Sequence, residues 1–192
     1  VLWSCVNINK TKEANMNTVI QGQKHIELGC KDGVNFRKEY YGLDFQYNDG
    51  GRKEAGRKGD TGDCVTRAIA IAANLPYEQV YSVLAQGNAT QRKSKHHKAK
   101  DGKRTASNGI SVRRKWFRDY MHKLGFKWIP TMQIGSGCKV HLRKGEMPMG
   151  RLVVAVSKHY TSMIDGVIND TYDPSRNATR CVYGYWRLDA NN

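Results

Sequence analysis

A chain of 192 residues, 39% of them apolar, is long enough to bury one core of ordinary size, alone or with an appended arm. Its 32 Lys and Arg against 17 Asp and Glu leave a formal net charge of +15, which favours polyanionic partners, nucleic acid before anionic membrane surfaces. No run of about 18 apolar residues exists to span a membrane, and the apolar start at residues 1–6 is too short for a secretory core, so no membrane partner is expected and the expected location is the cytoplasm.

The first 50 residues are mixed and polar and are expected to form an N-terminal extension or accessory strands, with strand-like pieces at 34–36 and 43–47. Asn48-Asp49-Gly50-Gly51 marks a turn, and a glycine-rich basic loop runs on to Gly62. Residues 63–74 are rich in Ala with apolar residues on most faces, which predicts a buried helix capped by Asp60, Thr61 or Asp63 and ended by Asn74 with Leu75-Pro76. Pro76 opens a second helix with Val80, Val83 and Leu84 as its stripe and Gly87 as its stop. Residues 91–104 (QRKSKHHKAKDGKR) form a solvated basic loop. A third helix is predicted from Ser111 to Gly125, with Phe117, Tyr120, Met121 and Leu124 on one face.

After Gly125 the periodicity becomes that of strands: 126–130, 151–156, 160–164, 167–170 and 181–186, with Asp165-Gly166 as a tight hairpin turn. Helices first and an antiparallel sheet after them is an α+β order. The domain carrying them is taken as 51–192.

Cys64 falls in the first turn of an apolar helix, where unpaired N–H groups and the helix dipole favour a thiolate. A cysteine in such a helix also serves as a small core residue. His159 stands at the start of a strand, just after the apolar run Leu152–Val156, and Asp170 comes eleven residues later at the end of the returning strand. Reflection about Asp165-Gly166 pairs position 159 with about 172, so Asp170 lies one diagonal step away. A carboxylate that orients an imidazole, which in turn takes a thiol proton, is triad logic. Asp173 is the fallback carboxylate.

The five cysteines (Cys5, Cys30, Cys64, Cys138, Cys181) are odd in number and far apart, with no CxxC pair. This points away from a disulfide framework and a metal site and toward a reducing compartment. Cys138 with His141 is a second candidate dyad, with no helix start to activate the thiol. His96-His97 are adjacent among lysines and make a poor metal pair. Trp116, Trp128, Tyr183, Tyr185 and Trp186 have the spacing of core aromatics, or of a stacking surface. No cofactor or metal is expected.

Asp63-Cys64, and His159 followed by Ile168-Asn169-Asp170, resemble the papain-like cysteine peptidase superfamily, in particular its bacteriocin-processing branch. The stretches GDCVTRAIAIA and HYTSMIDGVINDTYDPSR are also similar to phage-encoded proteins of uncharacterised function. The resemblance covers roughly residues 60–187 and implies a helical half bearing Cys64, packed on a sheet bearing His159 and Asp170. It implies a thiol hydrolase of peptide, isopeptide or other amide bonds, in the host cytoplasm or a virion. Papain-like enzymes usually carry a glutamine six residues before the cysteine as an oxyanion donor. That position is Lys58 here, so Lys58 and Thr61 become the oxyanion candidates. The departure leaves open a thiol acyltransferase, or an inactive scaffold that binds nucleic acid through Arg92, Lys93, Lys95, Lys98, Lys100, Lys103 and Arg104, extended by Arg113, Arg114 and Lys115.

Overall fold

The computed structural model describes residues 41–58, 62–90, 105–107, 109–133 and 135–189. These belong to the second of two units, residues 37–192, into which the chain divides. The strand expected at 34–36, the basic loop 91–104 with its Lys and Arg candidates, His96-His97 and Thr61 lie outside the described residues.

The first helix, α1 (Cys64–Ala73, CVTRAIAIAA), joins the strongest helix former to Val and Ile that bury against the sheet. Asn74 ends it in the left-handed region (φ 53°), with its N–H on the Ile71 carbonyl at 3.3 Å and Leu75 N–H on Ala70 O at 3.0 Å. Arg151 completes that end from the sheet. Its Nε donates to Ala72 O at 2.6 Å and its Nη2 to Ile71 O at 2.8 Å, a cation on the negative pole of the helix. At the other end Asp63 holds the N-cap position but makes no capping bond, because its carboxylate is engaged elsewhere.

The second helix, α2 (Tyr77–Ala89), starts after Pro76, which occupies the cap itself, and runs two residues past the expected stop at Gly87. Gly87 has a packing role instead. A Cβ there would sit 2.4 Å from the Trp116 ring, so the missing side chain lets the third helix approach. That helix, α3 (Lys115–Lys123), begins after a turn rather than at Ser111, and buries Phe117 and Met121.

Six strands form one sheet: β1 (Asp44–Tyr47), β2 (Phe126–Pro130), β3 (Arg151–Val156), β4 (His159–Ile164), β5 (Val167–Asp170) and β6 (Val182–Leu188), in the order β1-β5-β4-β3-β6-β2. Every pairing is antiparallel except β1 on β5, a parallel edge pair that strand alternation alone does not reveal. Asp165 (φ 46°) and Gly166 (φ 84°) turn β4 into β5 with both residues left-handed, as a type I′ turn requires. The described residues are thus a mixed α+β arrangement of three helices and a six-stranded sheet.

The sheet is covered on both faces, which is why β3 is buried almost throughout. Val65, Ile69, Val80, Leu84, Phe117 and Met121 of the helices pack with Phe126, Val153 and Trp186. On the other side Leu142 packs with Leu152, Val154, Val156, Met163 and Ile168. Trp128 meets Trp186 at 5.3 Å between ring centroids and Phe117 meets Trp186 at 6.1 Å, so these aromatics are core.

One expectation is overturned. Cys138 and Cys181 form a disulfide across 43 residues of chain, with Cα atoms 5.8 Å apart. The segment before Leu142 runs antiparallel to the start of β6, with Val182 N–H on Val140 O at 2.8 Å and Leu142 N–H on Arg180 O at 2.8 Å. That pairing brings the two sulfurs together, and sequence spacing carries no trace of it. The bond also removes the inference of a reducing compartment from cysteine usage. No helix among the described residues is long and apolar enough to cross a membrane.

Gly184, inside β6, faces Ala155 on one side and Pro130 on the other. A Cβ there would lie 2.4 Å from the Trp128 ring and 2.9 Å from Ile129 O. Gly184→Ala is therefore expected to cost about 1–3 kcal/mol through overpacking. The reading is a lower urea midpoint at unchanged slope, and an unshifted midpoint would show that β2 can move aside.

Candidate active site

Cys64 is the first residue of α1, half-buried, and the one free cysteine among the described residues. His159 opens β4 and Asp170 closes β5. The hairpin register pairs Ser162 with Asn169 and Ile164 with Val167, so positions 159 and 170 are diagonal neighbours on one face. His159 Nε2 lies 2.8 Å from Asp170 Oδ2, with both side chains buried. The second carboxylate oxygen accepts the Thr171 N–H at 2.7 Å and faces Arg67 Nη2 at 3.7 Å. With Nε2–H directed at Asp170, Nδ1 is the nitrogen left for the Cys64 thiol, whose pKa the histidine acts to lower. The Tyr172 ring covers the imidazole, 5.0 Å away between centroids.

The electrostatics of the pair follow from these contacts. Burial acts to raise the Cys64 thiol pKa. The hydrogen bonds from His159 and the Tyr160 backbone N–H, with the charges of His159 and Arg67, outweigh it and leave the thiol below its ordinary value. Burial acts to lower the His159 pKa, but the hydrogen bonds with Asp170 and Cys64 prevail and raise it to about 9. A lowered thiol beside a raised imidazole shifts the pair toward its thiolate–imidazolium form.

Beneath the pair lies a network that spacing alone did not expose. The Asp63 carboxylate is fully buried and takes Arg52 Nε at 2.8 Å, Arg67 Nη1 at 2.5 Å and the Tyr77 hydroxyl at 2.7 Å. Burial and the Asp63 carboxylate push the Tyr77 phenol well above its usual range. Arg67 bridges Asp63 and Asp170. The i,i+4 spacing of Asp63 and Arg67 was the one readable signal, since it puts both on the same side of the first helical turn.

The other candidates fall as follows. Lys58 is exposed and is held through its carbonyl, which accepts Arg52 Nη2 at 3.0 Å, so its ammonium is not among the contacts of Cys64. Asp173 belongs to a turn, where its Oδ1 accepts the Ser175 N–H at 2.9 Å, and it is not the partner of His159. Cys138 does lie 3.5 Å from His141 Nε2, but its sulfur is bonded to Cys181 and is no free nucleophile. Arg113, Arg114 and Lys115 are exposed, with Lys115 paired to Asp119 at 2.7 Å. Among the described residues no group of three His, Cys, Asp or Glu is placed to hold a metal ion.

Comparison with protein-family models, with curated proteins and with solved structures finds no match to this chain. The geometry therefore carries the functional argument by itself.

Two outcomes are expected. Because the thiol is lowered and His159 is raised to about 9, iodoacetamide should alkylate Cys64 faster than an ordinary thiol below pH 8, and faster again above about pH 9, when the imidazolium loses its proton. In His159→Ala the thiol reverts toward an ordinary pKa of about 8.5, and the rate below pH 8 should fall. An identical profile in the two proteins would dissolve the pair. Separately, Asp63→Asn takes the buried anion from Arg52, leaves Arg67 with Asp170 alone, and should destabilise the fold by about 3 kcal/mol, measured by chemical denaturation.

Proposed function

We propose that the chain is a thiol hydrolase of the papain-like type, acting on a peptide, isopeptide or other amide bond. The observation that carries this reading is the hydrogen-bonded line Cys64, His159, Asp170, in which the thiol pKa is lowered and the imidazole pKa raised. A helix bearing the cysteine at its N-terminus, packed on a sheet bearing histidine and aspartate on adjacent strands, supports the papain-like arrangement.

In this reading the Cys64 thiolate attacks the substrate carbonyl carbon, and the C=O electron pair moves onto oxygen. The N-terminal N–H groups of α1 stabilise that oxyanion, in place of the glutamine that Lys58 replaces. Protonated His159 gives its proton to the leaving amine as the C–N bond breaks, leaving a thioester on Cys64. Neutral His159 then takes a proton from water, hydroxide attacks the thioester, and the thiolate is regenerated with the acid product. Asp170 holds the imidazole in the tautomer both steps need.

Incubation with a mixture of peptides and isopeptides, with fragments read by mass spectrometry, tests the assignment. Cys64→Ala should lower turnover by about 10⁴-fold or more while leaving the circular dichroism unchanged. Undiminished cleavage in that variant removes Cys64 from the mechanism. A product that forms only when an amine is added marks an acyltransferase using the same triad.

A second reading, polyanion binding, rests on the net charge of +15 and on exposed Arg113 and Arg114 before α3. Binding to duplex DNA should weaken with salt at a slope of about −0.9 per phosphate neutralised, and a flat response removes this reading.

A further inference from the structure

The disulfide does not stand alone. Its exposed member, Cys138, has His141 Nε2 3.5 Å from its Sγ, and His141 Nδ1 lies 3.1 Å from Glu146 Oε2. The carboxylate is itself fixed. Oε2 also accepts the His141 backbone N–H at 2.5 Å, and Oε1 accepts Arg143 Nε at 2.7 Å as well as Arg143 Nη2. Arg143 rests over the Tyr41 ring at 5.0 Å. Burial acts to raise the Glu146 pKa, but these hydrogen bonds hold it below the usual carboxylate range, so it stays an anion. With Nδ1–H directed at Glu146, His141 presents the Nε2 lone pair to the sulfur. Cys181, the other member, is half-buried, with Met132 Sδ 3.9 Å from its Sγ. None of these residues belongs to the Cys64 site.

A purely structural cross-link needs neither an imidazole at one sulfur nor a carboxylate to set that imidazole's tautomer. We propose that Cys138, Cys181, His141 and Glu146 form a thiol–disulfide exchange site whose co-reactant is a low-molecular-weight thiol of the glutathione class. His141 Nε2 takes the proton of the incoming thiol, and the thiolate attacks the exposed Cys138 sulfur. The S–S bond breaks with its electron pair on Cys181, which takes a proton from the medium and becomes a thiol. A second thiolate attacks the outer sulfur of the mixed disulfide, and Cys138 leaves as a thiolate paired with protonated His141. Two small thiols are oxidised to one disulfide, and the protein disulfide is reduced to two cysteines. Exposure directs the first attack to Cys138, and protonated His141 assists the departure of Cys138 in the second. Run in reverse, reduced Cys138 is the attacking thiolate and Cys181 the resolving thiol.

The test uses the full chain with Cys64→Ser, so that the result does not depend on the hydrolase reading. Free thiols are first blocked with iodoacetamide, reduced glutathione is added, and adducts are located by peptide mass spectrometry. The expected results are opening of the bridge at millimolar glutathione and a glutathione adduct on Cys138. Once the bridge is open, Cys138 should be alkylated at pH 7 about tenfold or more faster than Cys181, as an imidazolium-paired thiolate is. His141→Gln should bring the two rates together, and Glu146→Gln should reduce the ratio in part. A bridge that resists glutathione, an adduct on Cys181, or a rate ratio indifferent to His141 overturns the proposal. Circular dichroism accompanies each variant, and if His141→Gln does not fold, the adduct position and rate ratio of the parent decide alone.

Discussion

A carboxylate taken wholly out of water is tolerated only where donors replace its hydration, and Asp63 fixes where those donors must be. Arg52 comes from the glycine-rich loop, Arg67 from one turn into α1, and Tyr77 from the start of α2. Three segments must converge before that carboxylate is satisfied, so the loop, α1 and α2 are ordered jointly or not at all. The arrangement has a consequence at the helix end. An aspartate at the N-cap usually spends its oxygen on first-turn N–H groups. Here the oxygens go to the two guanidinium groups and the phenol, and the first turn receives no bond from its cap side chain.

The fold was legible where one element is specified by its own residues. Ala-rich and amphipathic periods placed the three helices, and Asp165-Gly166 placed the β4–β5 hairpin with the register that joins His159 to Asp170. Boundaries failed where a distant contact decides them. Gly87 looks like a stop, yet it lies inside α2 because Trp116 needs its space. Ser111 looks like a start, yet α3 waits for Lys115. The parallel pairing of β1 with β5 was invisible for the same reason, since a strand's own residues do not name its neighbour.

The same distinction separates the two sulfur sites. Cys64 could be read because its surroundings are local: a helix start before it, and a single hairpin that brings histidine and aspartate together. Cys138 and Cys181 could not be read as a pair, because they stand 43 residues apart and the short antiparallel run that joins them consists of backbone bonds at Val140 and Leu142. The short motif Cys138 to His141 was visible and its imidazole is indeed at the sulfur, but the disulfide changes what that contact can do.

Charge balance at the Cys64 site bears on what the protein's cationic excess is for. Around the site Asp63 and Asp170 contribute two negative charges and Arg52 and Arg67 two positive ones, each in contact with an opposite partner. These four charges cancel, although the chain carries +15. The net positive field of the chain therefore originates in other residues, such as exposed Arg113 and Arg114. Salt screens such exposed charges on the scale of a Debye length but acts far less on the buried, mutually paired set around Asp63 and Asp170.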